Sequence, residues 1–367
     1  MKKRPDLYTN YKSESAIFST STQKVWFVLL ILLSLIVPFY FSPYWMLLVT
    51  TSLLIAIASW GLNIVSGMAG QINLAHGVFV GIGTYTSAVI GGVATSSVIG
   101  FELDMIIWLP LSGIIAALIG IIISPVSARL KGLNLGLVTL AIVFIGSHFF
   151  SNLKFITGGA GLGRKAAKLK FFGIDLDSGL SIGSMILEKN DVIYYFSLIL
   201  CIFLGLGAKN LTRTKIGRAF SAIRDRDIAA EALGINLYRY KMYAFALSSF
   251  YAGIAGSLLF IISGGIEPGT FSLLYSITFI AIVIIGGVGT VMGPFYGAFF
   301  FTMLPGIIQT ILHAVGVADT GFFLNAGEIE RIVFGFFIIF FLVFEPRGIW
   351  GIWFRLRNYF KAWPFSY

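Results

Sequence analysis

Polar side chains are scarce in the apolar parts of this chain, so the few that interrupt them define the available chemistry. Gly70, Gln71, Asn73 and His76 fall in the stretch GLNIVSGMAGQINLAHGVFVGIGTYTSAVIGG, from Gly61 to Gly92. Gly264, Gly265 and Pro268 fall in a second interruption, SGGIEPGTFS, from Ser263 to Ser272. Amides and an imidazole offer hydrogen bonds rather than bond making. No Ser, Cys or carboxylate stands with them in a recognisable nucleophilic or acid-base set, and the sequence shows no metal-ligand spacing and no phosphate-cradling Walker motif. No catalytic residue, metal or cofactor is therefore expected. Two uses remain for these groups: contacts along a path for a polar solute, or hydrogen bonds and close packing between helices. For His76 the choice lies between a structural hydrogen bond and proton handling.

The elements that position these residues are membrane spans. With 57% hydrophobic and 11% charged residues in 367, too little polar surface remains to cover a water-soluble fold. The apolar runs read as about ten transmembrane helices in an all-α, polytopic fold: 25–41, 44–65, the interrupted 61–92, 105–128, 132–150, 192–208, 242–262, 273–285, 295–313 and 329–344. No small-residue cleavage site follows the first run, so it is expected to be an uncleaved span rather than a signal peptide. Ala252, Gly253 and Gly256 give the seventh span a small-residue packing face. Thr139 and His148 are the polar members of the fifth. Cys201 lies in an apolar run and has no second cysteine to pair with. Both interruptions predict broken helices. Irregular backbone at membrane depth survives only where protein buries it or water reaches it, because each unsatisfied peptide group costs several kcal/mol in lipid.

Charge is concentrated elsewhere. The segment Lys209 to Lys241 holds eight of the 26 Lys and Arg residues: Lys209, Arg213, Lys215, Arg218, Arg224, Arg226, Arg239 and Lys241. Within it, a turn from Gly217 to Arg224 sets Phe220 and Ile223 on one face. Asp227 then reads as an N-cap, Ile228 to Leu233 as a helix of one to two turns, and Gly234 as its left-handed stop. So short a helix needs a partner to pack against. The segment is either a docking surface for a protein outside the membrane or an interfacial loop whose bases meet anionic headgroups.

With the N-terminus inside, 19 of the 26 bases and 6 of the 16 acids fall on the inner side. This makes 1–24 a cytoplasmic tail, 25–346 the transmembrane domain, 151–191 an extracytoplasmic loop, 209–241 a cytoplasmic loop and 347–367 a basic cytoplasmic tail. The pI near 9.6 thus reflects membrane-proximal bases and no nucleic-acid partner. Shifting the chain by five spans maps the break at 66–77 onto that at 263–272 in the opposite direction, which admits an inverted repeat. No span carries an ionisable carboxylate or ammonium near its centre, which disfavours an ion-coupled carrier.

Several of these segments resemble one family. IGRAFSAIRDRDIAAEALGI is similar to the cytoplasmic loop of LivM-type permease subunits of branched-chain amino acid ABC importers. The first interruption resembles the family signature GYxGQxSLGHAxFxGIGAYT, departing from it at Asn73 and Ala75, and GLNLGLVTLAIVFIG resembles RLRGLYLAIVTLAF, with Asn134 for the usual Tyr. TGGAGLG stands where the family has TGGPNG, and IGGVGTVMGP and FEPRGIWG resemble GGxGxxxGPxxGA and FRPRGLxG, the latter with Glu345 for Arg. The resemblance implies that Arg218, Asp227, Glu231 and Gly234 belong to an ATPase contact. The coupling set read here is Gly217, Arg218, Ile223, Asp227, Ala230, Glu231 and Gly234, and the translocation path is Gly70, Gln71, Asn73, His76, Gly264, Gly265 and Pro268. It further implies a second related permease, two ABC ATPase subunits, an extracytoplasmic solute-binding protein, surrounding membrane lipid and a small-molecule substrate. Leucine, isoleucine or valine are the expected solutes, and urea or short amides the alternative within the family. An ion-coupled secondary transporter or an anchoring protein without transport are the rivals from other classes.

Overall fold

The computed structural model describes residues 16–18, 21–130, 132–161, 163–177, 179–182, 185–314, 326–345 and 347–362. Most of the tail 1–24, Lys131, Asp319 and the end of the basic tail, 363–367, lie outside the described residues.

Runs of Leu, Ile, Val, Phe and Ala fold as helices because, without water, each backbone group must find its partner within its own segment. They are α1 Ser21–Tyr40, α2 Pro43–Leu62 with a π-turn at Asn63–Met68, α3 His76–Gly91, α4 Met105–Arg129, α5 Gly132–Asn152 and α6 Lys189–Leu211. The second half holds α7 Lys215–Ala232, α8 Leu237–Ser263, α9 Leu273–Gly286, α10 Gly293–Ala314, α11 Ala326–Phe344 and α12 Gly348–Ala362. Seven among the described residues are long and apolar enough to cross a membrane, and the bent pair α11 and α12 makes up to eight. The helices at the expected third and eighth spans fall below that length, the eighth agreeing with the expected 273–285 to within one residue. α3 has 16 residues and α9 has 14. At ~1.5 Å per residue neither reaches across ~30 Å of hydrocarbon. Each follows one of the two breaks.

α2, α3 and α8 form the centre. Leu54, Ile57, Phe79, Val80, Ala252 and Leu258 are buried where these helices meet. A Cβ on Gly83 would run into the backbone of Gly253. Thr84 Oγ1 uses this closeness to donate across to the carbonyl of Gly256 at 2.8 Å. The small-residue face expected at Ala252, Gly253 and Gly256 is therefore the contact between α8 and α3, and it also lets Gly253 approach Ser112 of α4. α1 buries no residue of its own. It is held by the hydroxyls of Tyr194 and Tyr195, which donate to Ser34 and Leu35 carbonyls at 2.6 and 3.0 Å.

A long helix, a break, a half-length helix and another long helix occur twice, as α2–α3–α4 and α8–α9–α10. α8 packs across α4 as α2 packs across α10, α3 lies beside α4 as α9 lies beside α10, and the two first helices meet each other.

Among the described residues, six short strands amend the all-α expectation. Five lie between α5 and α6: β1 Arg164–Lys165, β2 Lys170–Phe171, β3 Ile174–Asp175, β4 Leu180–Ile182 and β5 Met185–Leu187. β2 pairs with β3 and β4 with β5, whereas β1 pairs antiparallel with β6, Gly265–Ile266, inside the second break. Positive φ at Gly158, Gly159, Gly161 and Gly163 turns the chain into this arrangement. These strands mark one end of the bundle, here the hairpin end. α7, the 287–292 loop and α12 mark the other, the basic end.

Candidate functional site

The first break begins where α2 loosens into its π-turn. Gly70 then takes φ +68°, and the chain runs back along α2 until His76 opens α3 with Nε2 2.8 Å from the Ala58 carbonyl. The peptide groups are largely satisfied. Ala69 and Gln71 donate to the carbonyls of Ile64 and Val65 at 3.1 and 3.0 Å. The N–H groups of Leu74, Ala75 and Gly77 donate to Thr139 Oγ1, Asn73 Oδ1 and Ser276 Oγ, at 3.1, 2.9 and 3.0 Å. Gln71, Asn73 and His76 are 3%, 1% and 0% exposed, so all three face the interior. Their polar atoms are used unequally. Asn73 Oδ1 holds the turn and His76 Nε2 the helix start, whereas Gln71 Oε1 and Nε2, Asn73 Nδ2 and His76 Nδ1 are buried with no hydrogen-bond partner among the described residues. Each such atom costs roughly 1–3 kcal/mol. Gly70 differs, because it is exposed at the basic end.

The second break opens at the hairpin end. Gly264 takes φ +72° and ends α8, β6 follows, and Pro268–Thr270 form a single 3₁₀ turn. Gly264 and Gly265 line a cavity of about 1060 Å³ with Arg164, Lys165, Lys168 and Glu267. Pro268 is buried and lies outside that lining. Arg164 organises this end: its guanidinium donates to the carbonyls of Ile156, Ala88 and Ile99 at 2.6, 2.5 and 3.0 Å. Burial lowers its pKa and the nearby Tyr85 hydroxyl counters that.

The two breaks are joined through the half-helices that follow them. Besides the bond from Gly77 to Ser276, the His76 ring meets Phe279 edge-on with centroids 5.3 Å apart. The residues read as one path thus sit at three levels: Gly70 at the basic end, Gln71, Asn73 and His76 within, and Gly264 and Gly265 at the hairpin end.

α7 is two helices in one. Thr214 Oγ1 caps its start by accepting from the Gly217 N–H at 3.3 Å. Gly217, Ala219, Phe220 and Ile223 are buried. The helix then breaks at Arg226, which is extended with φ −157° and ψ 99°, one residue before the N-cap expected at Asp227. The Asp227 carboxylate instead accepts from the adjacent Ile228 N–H at 2.8 Å. The stop falls where expected: Gly234 has φ +84°, and Gly234 and Ile235 donate to the carbonyls of Glu231 and Ala230 at 2.9 and 3.0 Å. That pair of bonds is a Schellman motif. Ala230 is 1% exposed, whereas Ile228 and Leu233 are 76% and 81% exposed. Of the coupling residues, Gly217, Ile223 and Ala230 therefore hold α7 to the bundle, while Arg218, Glu231 and Gly234 are exposed.

The structure also joins α7 to the first break, through residues the sequence did not single out. Arg224 Nη1 donates to the Gly67 carbonyl at 3.1 Å. Its stem lies beside Gly70, where a Cβ would lie 2.9 Å from Arg224 Cγ. On the other side of the π-turn, Asn63 Nδ2 donates to the Thr290 carbonyl and its Oδ1 accepts from Gly289, both at 2.8 Å. Helix α7, the π-turn and the 287–292 loop therefore form one linked cluster.

Residues 44–342 match the family described as the branched-chain amino acid transport system permease component. The high-affinity branched-chain amino acid transport system permease protein LivM of Escherichia coli strain K12 is 27% identical over 343 residues, covering 90% of this chain and 76% of that one. The corresponding protein BraD of Pseudomonas aeruginosa is 27% identical over 300 residues, 81% of this chain and 91% of that one. An autoinducer 2 import system permease protein, LsrC of Enterobacter sp. strain 638, is 34% identical over 109 residues, 28% of this chain and 32% of that one. No solved structure matches the chain at a significant level. The match over most of its length, carried by a helical membrane bundle with an exposed capped helix, places the chain in the family of branched-chain amino acid transport system permease components.

Proposed function

We propose that the chain is the permease subunit of an ATP-driven importer that moves branched-chain amino acids into the cell across the plasma membrane of a bacterium or archaeon. In this reading the basic end is cytoplasmic, as are both termini. The chain crosses the membrane ten times, counting α3 and α9 with their extended segments as crossings, and the two halves form an inverted repeat. A second, related permease completes the path, two ATPases bind α7, and a solute-binding protein delivers substrate to the hairpin end. Energy comes from those partners, because this chain offers no nucleotide motif.

The observation that carries the reading is the position of α7. Its outer half presents Ile228, Leu233 and Glu231 to the surroundings, and its inner half rests on the π-turn through Arg224. A partner gripping the outer half would thereby move the first break. An interfacial loop that only met headgroups would need no such bond into the bundle.

The similarity to an autoinducer 2 permease over a quarter of the chain favours a second reading of the solute alone. On that reading the architecture is the same and the cargo is another small polar molecule. Vesicles holding the chain, its related permease and their ATPases, supplied with the binding protein, decide between them. ATP-dependent uptake of leucine and not urea supports the first reading. Uptake of autoinducer 2 or urea in place of leucine supports the second, and uptake of leucine without any ATPase overturns both.

A further inference from the structure

α12 has a docked root and an unaccompanied body. Its root is fixed by buried Gly348 and Gly351, by Trp350 stacked on Tyr296 with centroids 6.1 Å apart, and by the ion pair of Arg355 with Glu345, which is 8% exposed. From there the helix leaves the bundle, its axis 52° from that of α11. Ile352, Trp353, Leu356, Tyr359 and Phe360 then follow at helical spacing along one stripe, and they are 38%, 51%, 50%, 63% and 73% exposed. Arg355, Arg357 and Asn358 lie off that stripe.

Three observations identify what covers it. The helix it bends from also exposes apolar side chains, since Phe336, Ile339, Val343 and Phe344 of α11 are 62%, 64%, 66% and 71% exposed. Two of its three aromatic residues are Trp353 and Tyr359, the types that settle at the boundary between hydrocarbon and headgroups. The charge is one-sided: Arg347, Arg355, Arg357 and Lys361 face a single acid from residue 345 onward, Glu345, and Arg355 occupies it. Arg357 is already positioned, its guanidinium 4.9 Å from the centre of the Phe354 ring, and its Nε is buried without a hydrogen-bond partner among the described residues.

We propose that α12 is an interfacial helix that lies in the headgroup layer at the basic end, its stripe inserted in the bilayer and Arg347 and Arg357 bound to anionic phospholipid headgroups. The helix ties the end of α11 to the lipid surface and makes that end sensitive to lipid charge. The 287–292 loop packs against the same root, through Gly287 and Trp350.

The test uses the full chain in vesicles, with Cys201→Ser as background and single cysteines placed by Phe360→Cys or Asn358→Cys. Phe360→Cys is expected to react about tenfold more slowly with a water-soluble maleimide than Asn358→Cys, as burial of one face in the interface requires. A fluorophore on Phe360→Cys should be quenched by brominated phosphatidylcholine. Replacing part of the phosphatidylcholine with phosphatidylglycerol should deepen the quenching, and Arg357→Gln should weaken that response severalfold. Equal maleimide rates at both positions would overturn the proposal, because the stripe would then lie in water. Protection without lipid quenching would overturn it too, by showing a protein covering the stripe. Quenching indifferent to phosphatidylglycerol in both the parent and Arg357→Gln would remove the headgroup contact.

Discussion

Arg224 of α7 reaches back to the Gly67 carbonyl, 157 residues earlier in the chain, and donates to it at 3.1 Å. The acceptor lies in the π-turn, where the i→i−4 ladder of α2 has already given way. The same arginine pairs with Asp225 at 3.1 Å, so one guanidinium is shared between the surface of α7 and the break. A hydrogen bond from a charged donor contributes about 1.5–3 kcal/mol, enough to bias a two-state element by tenfold or more. Arg224→Ala is expected to reduce ATP-dependent uptake roughly tenfold while ATPase binding to the complex and ATP hydrolysis persist. Uptake and hydrolysis measured on the same vesicles check this, and parallel loss of both would mean that the residue only holds the fold.

Gly70 makes a sharper version of the same point. Its φ of +68° already disfavours any side chain by roughly 1–2 kcal/mol. A Cβ there would also press on Arg224, 2.9 Å from Cγ and 3.1 Å from Cα. Gly70→Ala should therefore impair uptake about as strongly as Arg224→Ala. The double variant should be little worse than either alone, because both break one contact. Uptake rates across this double-mutant cycle give the comparison, and simple multiplication of the two defects would show that they act separately.

The outer half of α7 should fail differently. Glu231 is exposed, so Glu231→Lys should leave insertion and folding intact while weakening the ATPase grip. Gly234→Pro removes the N–H that bonds to Glu231 and forbids the positive φ, undoing the Schellman stop. Both variants are expected to uncouple hydrolysis from uptake. Pull-down of the ATPases with the tagged permease, alongside uptake, reads the two effects, and unchanged uptake in both variants would sink the docking assignment.

How much of this was legible depended on how local the cause was. The two breaks announced themselves through Gly70 with its neighbouring amides and through Gly264 to Pro268, and the stop at Gly234 through a glycine after a helical run. Those signals are properties of a few adjacent residues. Asn63 carried a readable signal, a lone amide in an apolar helix, yet its partners Gly289 and Thr290 could not be read. Arg224 gave none, since it is one base among eight in its loop and its acceptor is a backbone carbonyl. The strand pairing of Arg164 and Lys165 with Ile266 and Gly265 is equally non-local, which is why an all-α reading missed it. The run 273–285 already read as short, whereas the late start of α3 was hidden because the interrupted run from Gly61 to Gly92 stays apolar around its amides. The extent of α8 was hidden because its start depends on Asn236 accepting from the Arg239 N–H at 3.0 Å.

Arg164 tests the hairpin end. Lysine at this position keeps the charge but has no planar fork to hold three carbonyls at once. Arg164→Lys should free the 151–191 loop from the end of α3, and with it the pairing of β1 with β6. Uptake driven by the binding protein should fall severalfold, while unstimulated hydrolysis by the complex stays as it was. Stimulation of hydrolysis by saturating binding protein reads this, and full stimulation with Arg164→Lys would show that the loop is a passive connector.

Gln71 and Asn73 decide between the two uses of polar groups at the first break. If their unpartnered amide atoms serve the solute, Gln71→Leu removes a contact that only transport requires and keeps the volume nearly the same. The uptake KM should then rise while the assembled complex survives solubilisation unchanged. Asn73→Ala should do more, because Asn73 Oδ1 also holds the Ala75 N–H that leads into α3. Some loss of thermal stability is therefore expected with Asn73→Ala and not with Gln71→Leu. Uptake kinetics and the melting temperature of the purified complex separate these outcomes. A complex that falls apart with Gln71→Leu at unchanged KM would assign the amide to packing, and the path would then have to be sought along the cavity beside Gly264 and Gly265.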